Sequence, residues 1–301
     1  MSEEKIAVVF PGQGAQYVGM GSSFFAADSE AREVLAQCSE GSGMDLEKLI
    51  LEGPEELLAQ TAVTQPAIFA VSMAIYRVLK SRTGLVPDFA AGFSLGQYSA
   101  LAAAGAFDIK KGAELLKHRG SFMQDANGGA MAAVIGMEPE SIKEVLNQVD
   151  GYVDIANYNS PGQTVISGTE SAVGEAVEAL LKKGAKKAVP LKVSGAFHSK
   201  LMEGAASRFK EVLAGETFGK TQFPVIGNET AREIEDVGFS LYTQLVSPVR
   251  WQDSIEYLRE RGVTRIIEVG PGKVLSGLIR RIDRSLEVVS VEEIDDLEKL
   301  R

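Results

Sequence analysis

The stretch DFAAGFSLGQYSALAAAG, residues 88–105, decides the fold. Its first six residues are strand-like. From Leu95 onward, small helix formers run to Gly105, a natural C-terminal stop. Between the two, Gly92-Phe93-Ser94-Leu95-Gly96 spells G-x-S-x-G. A strand that turns sharply into a helix at such a motif leaves the serine hydroxyl exposed on the turn. The glycines relieve crowding on both sides, and the N–H of Leu95 faces a developing oxyanion with the helix N-terminus behind it. A plain strand-to-helix turn with a buried capping serine uses the same letters, so the rest of the chain has to choose.

Outward from this turn, KIAVVF (5–10) is a nearly all-apolar run ended by Pro11 and Gly12, which predicts a buried parallel strand. SEAREVLAQCSE, TQPAIFAVSMAIYRVLKSR and KKGAELLKHRGSFMQ (110–124) have helical spacing. Strands alternating with helices imply an α/β layered fold, here a large α/β-hydrolase-like domain with a parallel sheet. The middle of the chain differs. GAMAAVIGM (129–137), EPESIKEVLNQV, VDIANYNSPGQTVISG (153–168), ESAVGEAVEALLKKG and KKAVPLKV (186–193) read as strand, helix, two strands about a Ser-Pro-Gly turn, helix, strand. That βαββαβ order is the ferredoxin-like unit. The expected division is a large domain over 1–126, an inserted small domain over 127–193, and the large domain again over 194–301. In the return part TRIIEVG (264–270) is a further buried strand and PGKVLSGLIRRI a helix.

The 301 residues suit one large domain or two unequal ones, and 45% hydrophobic with 24% charged residues is ordinary for a soluble globular protein. A net charge of −10 argues against nucleic-acid binding, which needs a basic face. Cys38 is the sole cysteine, so an internal disulfide and CxxC metal sites are excluded; within its helical pattern it reads as a small core or boundary residue. MSEEKIAVVF lacks the basic start and long apolar run of a signal peptide, and no uninterrupted apolar window of about 18 residues predicts a membrane span. The sequon at Asn228 carries no weight without secretion. A cytoplasmic protein is expected.

A nucleophilic serine needs a base, and the chain has two histidines. His118 lies inside a helix and reads as a surface or boundary residue. His198, in SGAFHS, follows a strand, where catalytic residues gather in parallel-sheet folds, and comes after Ser94 in the chain as in related hydrolases. FPGQGAQYVGMG (10–21) lacks the third glycine of a dinucleotide fingerprint, since Tyr17 stands there, and lacks the lysine of a Walker loop. It remains a tight loop after a strand, either a structural turn or a source of an oxyanion N–H. Arg119 is either a surface ion-pair former or, if it faces the cleft, a fork for a carboxylate.

Together these stretches resemble the malonyl-CoA:acyl carrier protein transacylase family of fatty acid synthesis. FPGQGAQ, TQPAIFA, GFSLGQYSAL, KHRGSFM, ANYNSPGQTVISG, LKVSGAFHS, SPVRW and EVGPGKVL follow one another in the family's order over nearly the whole chain. The resemblance implies Ser94 as nucleophile and His198 as its base, with oxyanion N–H groups from Gln13 and Leu95. It implies Arg119 as the grip on the malonyl carboxylate and the backbone carbonyl of Gln244 as the histidine's orienter. Met123, Asn159 and Phe197 are pocket-lining positions, Phe197 favouring malonyl over branched extender units. The family often has histidine and glutamate where Phe93 and Gln97 stand here, departures that bear on the pocket's tuning.

The implied reaction moves malonyl from malonyl-CoA to Ser94 and then to the phosphopantetheine thiol of acyl carrier protein, by ping-pong kinetics and with no cofactor or metal. Carriers are acidic, so a docking patch on this acidic chain must be local: KKGAKK (182–187), with Lys186 and Lys187, or IRRIDR (279–284), with Arg280 and Arg281. A monomer is expected. The competing readings are a trans-acting acyltransferase for a polyketide synthase, a serine hydrolase or thioesterase, and a non-enzymatic binding module.

Overall fold

The computed structural model describes residues 4–126 and 128–300. KIAVVF forms strand β1, Lys5–Phe10, whose last four residues are buried. It pairs in parallel with β2, Phe89–Gly92, in a register that sets Phe10 beside Gly92. Both strands therefore end at one level, and the loop after Phe10 and the turn at Ser94 emerge side by side.

The insertion forms an antiparallel sheet from β3 (Ala130–Ile135), β4 (Val153–Ser160), β5 (Gln163–Gly168) and β6 (Lys187–Pro190). Helices Pro139–Leu146 and Glu170–Lys183 supply the two crossovers. The order β4-β5-β3-β6 is the ferredoxin-like one. Gly128 pairs in parallel with Gly195, so the chain enters and leaves this sheet along adjacent paths. Asn127, the expected first residue of the insertion, lies outside the described residues.

The chain then completes the first sheet with β7 (Val225–Ile226), β8 (Val263–Val269) and β9 (Glu287–Val291), giving the all-parallel order β7-β2-β1-β8-β9. Sequence reading finds the three central strands and misses the two edges. β7 has two residues, too few for a pattern, and β9 alternates little because most of its residues are half-buried at an edge. Val249 exchanges backbone hydrogen bonds with β4, accepting from Tyr158 at 2.9 Å and donating to Ala156 at 2.8 Å, and so ties the two sheets together.

Helix Thr61–Thr83 packs inside this frame. At 23 residues it is long and apolar enough to cross a membrane, but 83% of its most apolar window is buried within the protein. That is the burial pattern of a core helix. Cys38 is fully buried, as its helical setting suggests.

Candidate active site

The turn after β2 is built by two absent side chains. A Cβ on Gly92 would sit 1.9 Å from the carbonyl carbon of Gly96, and one on Gly96 would sit 2.2 Å from the Phe10 carbonyl oxygen. Helix Gly96–Ala103 therefore starts in backbone contact with the strands that precede it. Ser94, at the apex, has φ 52°, in the left-handed region that a side chain usually avoids. Such strain costs on the order of 1–3 kcal/mol and needs outside support. The turn itself supplies acceptors for the first N–H groups of the helix: Gly96 donates to the Phe93 carbonyl at 2.9 Å, Gln97 to that of Ser94 at 3.1 Å and Tyr98 to that of Leu95 at 3.0 Å.

Ser94 Oγ lies 2.8 Å from His198 Nε2. His198 is 5% exposed and also has a left-handed φ, 56°. Its Nδ1 faces two carbonyl oxygens, Gln244 at 3.0 Å and Ser247 at 3.2 Å. Carbonyls only accept, so Nδ1 carries the hydrogen and Nε2 offers its lone pair to the serine. Burial first, and the Arg119 charge second, push the imidazole pKa down from 6.5 to about 4, against the opposing pull of the two carbonyls. The ring is neutral at neutral pH.

Arg119 is fully buried on helix Ile109–Asp125. One guanidinium nitrogen donates to Gln65 Oε1 at 2.7 Å. The other donates to Gln244 Oε1 at 2.9 Å and to Ser94 Oγ at 3.1 Å. All three partners are neutral, Nε is unpartnered, and the Tyr98 ring lies 5.5 Å from the guanidinium carbon. Burial lowers the Arg119 pKa. Because Arg119 donates to the serine oxygen, the serine proton is left to point at His198. The surface ion pair considered for Arg119 is excluded by its burial.

These groups open into a cleft of about 250 Å³ between the two sheets, which Gln13, Leu95, Met123, Asn159 and Phe197 also line. Every site residue expected from sequence thus reaches one place. Asn159 is 8% exposed with an unpartnered Oδ1, and Met123 sulfur accepts weakly from Gln65 at 3.4 Å. The Gln13 side chain turns aside to Thr61 at 3.3 Å. His118 is half-buried and packs on Phe122, away from this chemistry. Phe93 stacks edge-on against the buried Trp251, with ring centroids 5.6 Å apart, and presents its other side to the cleft.

Sequence reading missed three contributors. Gln65 sits in the TQPAIFA stretch but shows no chemical pattern of its own. Ser247 acts through its backbone, which no residue type reveals. Asn228 reads as a sequon alone, yet it bonds to the Ser94 N–H and to the Gly92 carbonyl ahead of it.

Comparisons with known proteins agree on the fold and the family. Residues 7–297 match the family model described as acyl transferase domain. The malonyl CoA-acyl carrier protein transacylase of Bacillus subtilis is 44% identical, over 98% of this chain and 95% of its own length. A crystal structure of malonyl-CoA:acyl carrier protein transacylase from Xanthomonas oryzae superposes with TM-score 0.96 at 42% identity, covering 100% of this chain and 98% of that one. So does a malonyl-transacylase solved with a type II polyketide synthase acyl-carrier protein, at TM-score 0.96 and 41% identity, covering 98% of both chains.

Proposed function

The chain belongs to the acyl transferase domain family of the malonyl-CoA–acyl carrier protein transacylases, and on that premise we propose that it carries malonyl from malonyl-CoA to the phosphopantetheine thiol of an acyl carrier protein, as a cytoplasmic monomer. One observation carries the malonyl assignment: a fully buried arginine with neutral partners, bonded to the same oxygen as the base. A buried cation of that kind favours a substrate that brings its own carboxylate.

Ser94 Oγ attacks the thioester carbon as its proton passes to His198 Nε2. The tetrahedral oxyanion rests on the N–H groups of Gln13 and Leu95. When the carbon–sulfur bond breaks, imidazolium returns the proton to the departing coenzyme A thiolate, leaving a malonyl ester on Ser94. The carrier thiol then repeats the sequence from the other side, giving its proton to His198 and regenerating Ser94. The Gln244 carbonyl holds the histidine tautomer in both halves, a task an aspartate performs elsewhere. Arg119 holds the carboxylate, with Met123, Asn159 and Phe197 shaping the space around it.

The two basic stretches support one docking rim. Lys187 pairs with Ile135, Ile135 pairs with Gln163, and Arg281 donates to Gln163 at 2.6 Å. Gln163 itself lines the cleft. Lys186, Lys187, Arg280 and Arg281 are all exposed. They suit an acidic carrier whose arm enters at Gln163.

The test mixes the protein with malonyl-CoA and holo-carrier and follows intact masses. A malonyl adduct that is lost in Ser94→Ala and moves to the carrier is the expected result. An adduct on the Ser94→Ala chain refutes the nucleophile. Release of free malonate without an acceptor identifies a hydrolase, and transfer to a polyketide carrier but not a fatty acid one shifts the pathway while keeping the chemistry.

A further inference from the structure

Asn228 takes no part in the steps above. It follows β7, is 1% exposed, and every polar atom of its side chain is used. Its Oδ1 accepts from the Ser94 N–H at 2.7 Å and from Gln244 Nε2 at 3.3 Å, while its Nδ2 donates to the Gly92 carbonyl at 2.7 Å. The amide's orientation is forced: a backbone N–H lies on one side and a carbonyl on the other.

We infer that Asn228 is a positioning residue, a clamp that holds the strained turn at Ser94 and locks it to the support of His198; this rests on Ser94 being the nucleophile. One rigid amide grips the Gly92 carbonyl and the Ser94 N–H, which fixes the backbone leading into the left-handed residue. The same oxygen takes an N–H from Gln244, whose carbonyl receives the histidine hydrogen and whose Nε2 also reaches the Ser94 carbonyl at 2.9 Å. Nucleophile and base thus share one anchor. Gln97, fully buried, anchors it in turn. Its Oε1 accepts from the Asn228 N–H at 2.9 Å, its Nε2 donates to Ser240 Oγ at 3.0 Å, and Ser240 donates to Glu229 at 2.6 Å. A side chain at position 228 must therefore both accept and donate within one plane.

The experiment follows acylation of Ser94 by malonyl-CoA in the full chain, with Asn228→Ala and Asn228→Asp. We expect kcat for acylation to fall about 10- to 100-fold in both at pH 8, with KM for malonyl-CoA within about threefold of the parent. An ionised carboxylate at this position offers acceptors alone and repels the Gly92 carbonyl. Once protonated, it has the shape of asparagine and regains a donor. The Asn228→Asp rate divided by the parent rate should therefore rise about tenfold from about pH 8 to about pH 5.5. Arg119, His198 and Glu229, the ionisable groups coupled to this position, are common to both proteins and enter both rates. An Asn228→Ala rate within about threefold of the parent overturns the inference, and so does a flat Asn228→Asp ratio. If Asn228→Ala gives no cooperative melt, the ratio decides alone. If the parent forms no malonyl ester, the proposed reaction falls, and the same ratio is read from fluorophosphonate labelling of Ser94.

Discussion

At the scale of single residues, His198 and Arg119 work against each other in the free protein. The guanidinium disfavours a second cation nearby, and burial disfavours any cation on the ring, so the imidazole stays neutral. On the proposed reaction, a substrate carboxylate on Arg119 would offset the first effect and raise the basicity of His198 as it binds. The acid limb of kcat should therefore lie at higher pH than that of kcat/KM, with both shifting upward in Arg119→Ala. That variant should also lose about 10²-fold in preference for malonyl over acetyl, read from competing acyl donors. The same pKa has a stability consequence. The unfolded chain binds a proton between pH 6.5 and about 4 that folded His198 refuses. The stabilisation is complete above pH 6.5 and is lost as pH falls toward 4, about 3 kcal/mol in all. Urea melts of His198→Gln should show a shallower decline than the parent over that range.

At the scale of elements, the strand–turn–helix unit shows what its letters could and could not disclose. Gly92 and Gly96 were legible as room for a turn. The structure shows that each also admits a neighbouring backbone. Gly92→Ala should therefore cost about 3 kcal/mol or more, or prevent folding, because backbone atoms rather than a flexible side chain stand in the way. Denaturant melts check this, and a cost below about 1 kcal/mol would contradict the packing. The pairing of Ser94 with His198 could be read because its chemistry is carried by residue type. Asn228 and Ser247 could not, because their work is done through a position 134 residues away from Ser94 and through a carbonyl. The departures at Phe93 and Gln97 also find reasons. Phe93 has Trp251 as its packing partner, and Gln97 needs both an acceptor and a donor to link the Asn228 N–H with Ser240.

At the scale of the whole molecule, the two basic stretches lie about a hundred residues apart in sequence, and the sheet sets Lys187 across one intervening strand, β3, from Gln163, which Arg281 reaches. Reversing the charge of Lys186, Lys187, Arg280 and Arg281 together should lower the second-order rate of transfer to the carrier about tenfold or more at low salt. The malonyl ester formed at saturating malonyl-CoA should persist in that variant. An unchanged carrier rate, measured by stopped-flow quench, would remove the rim from consideration. The alternation of strands and helices made the α/β architecture legible, and the 3.6- and 2-residue periods located both sheets. Edge strands β7 and β9 escaped because sheet edges are short or half-wetted and carry weak patterns.

Strand β1 has its own consequence for how the chain is born. One of its flanks is completed by β2 within the first 92 residues, but the other waits for β8, which begins at Val263. During synthesis the first strand and the apolar helix Thr61–Thr83 stand ready for some 170 residues with one seam open. A growing chain of this design carries an open apolar seam through that interval, the kind of surface that chaperones shield and neighbouring chains seek. Chains stalled near residue 260 should be protease-sensitive and chaperone-bound, and those extended to residue 300 should be neither.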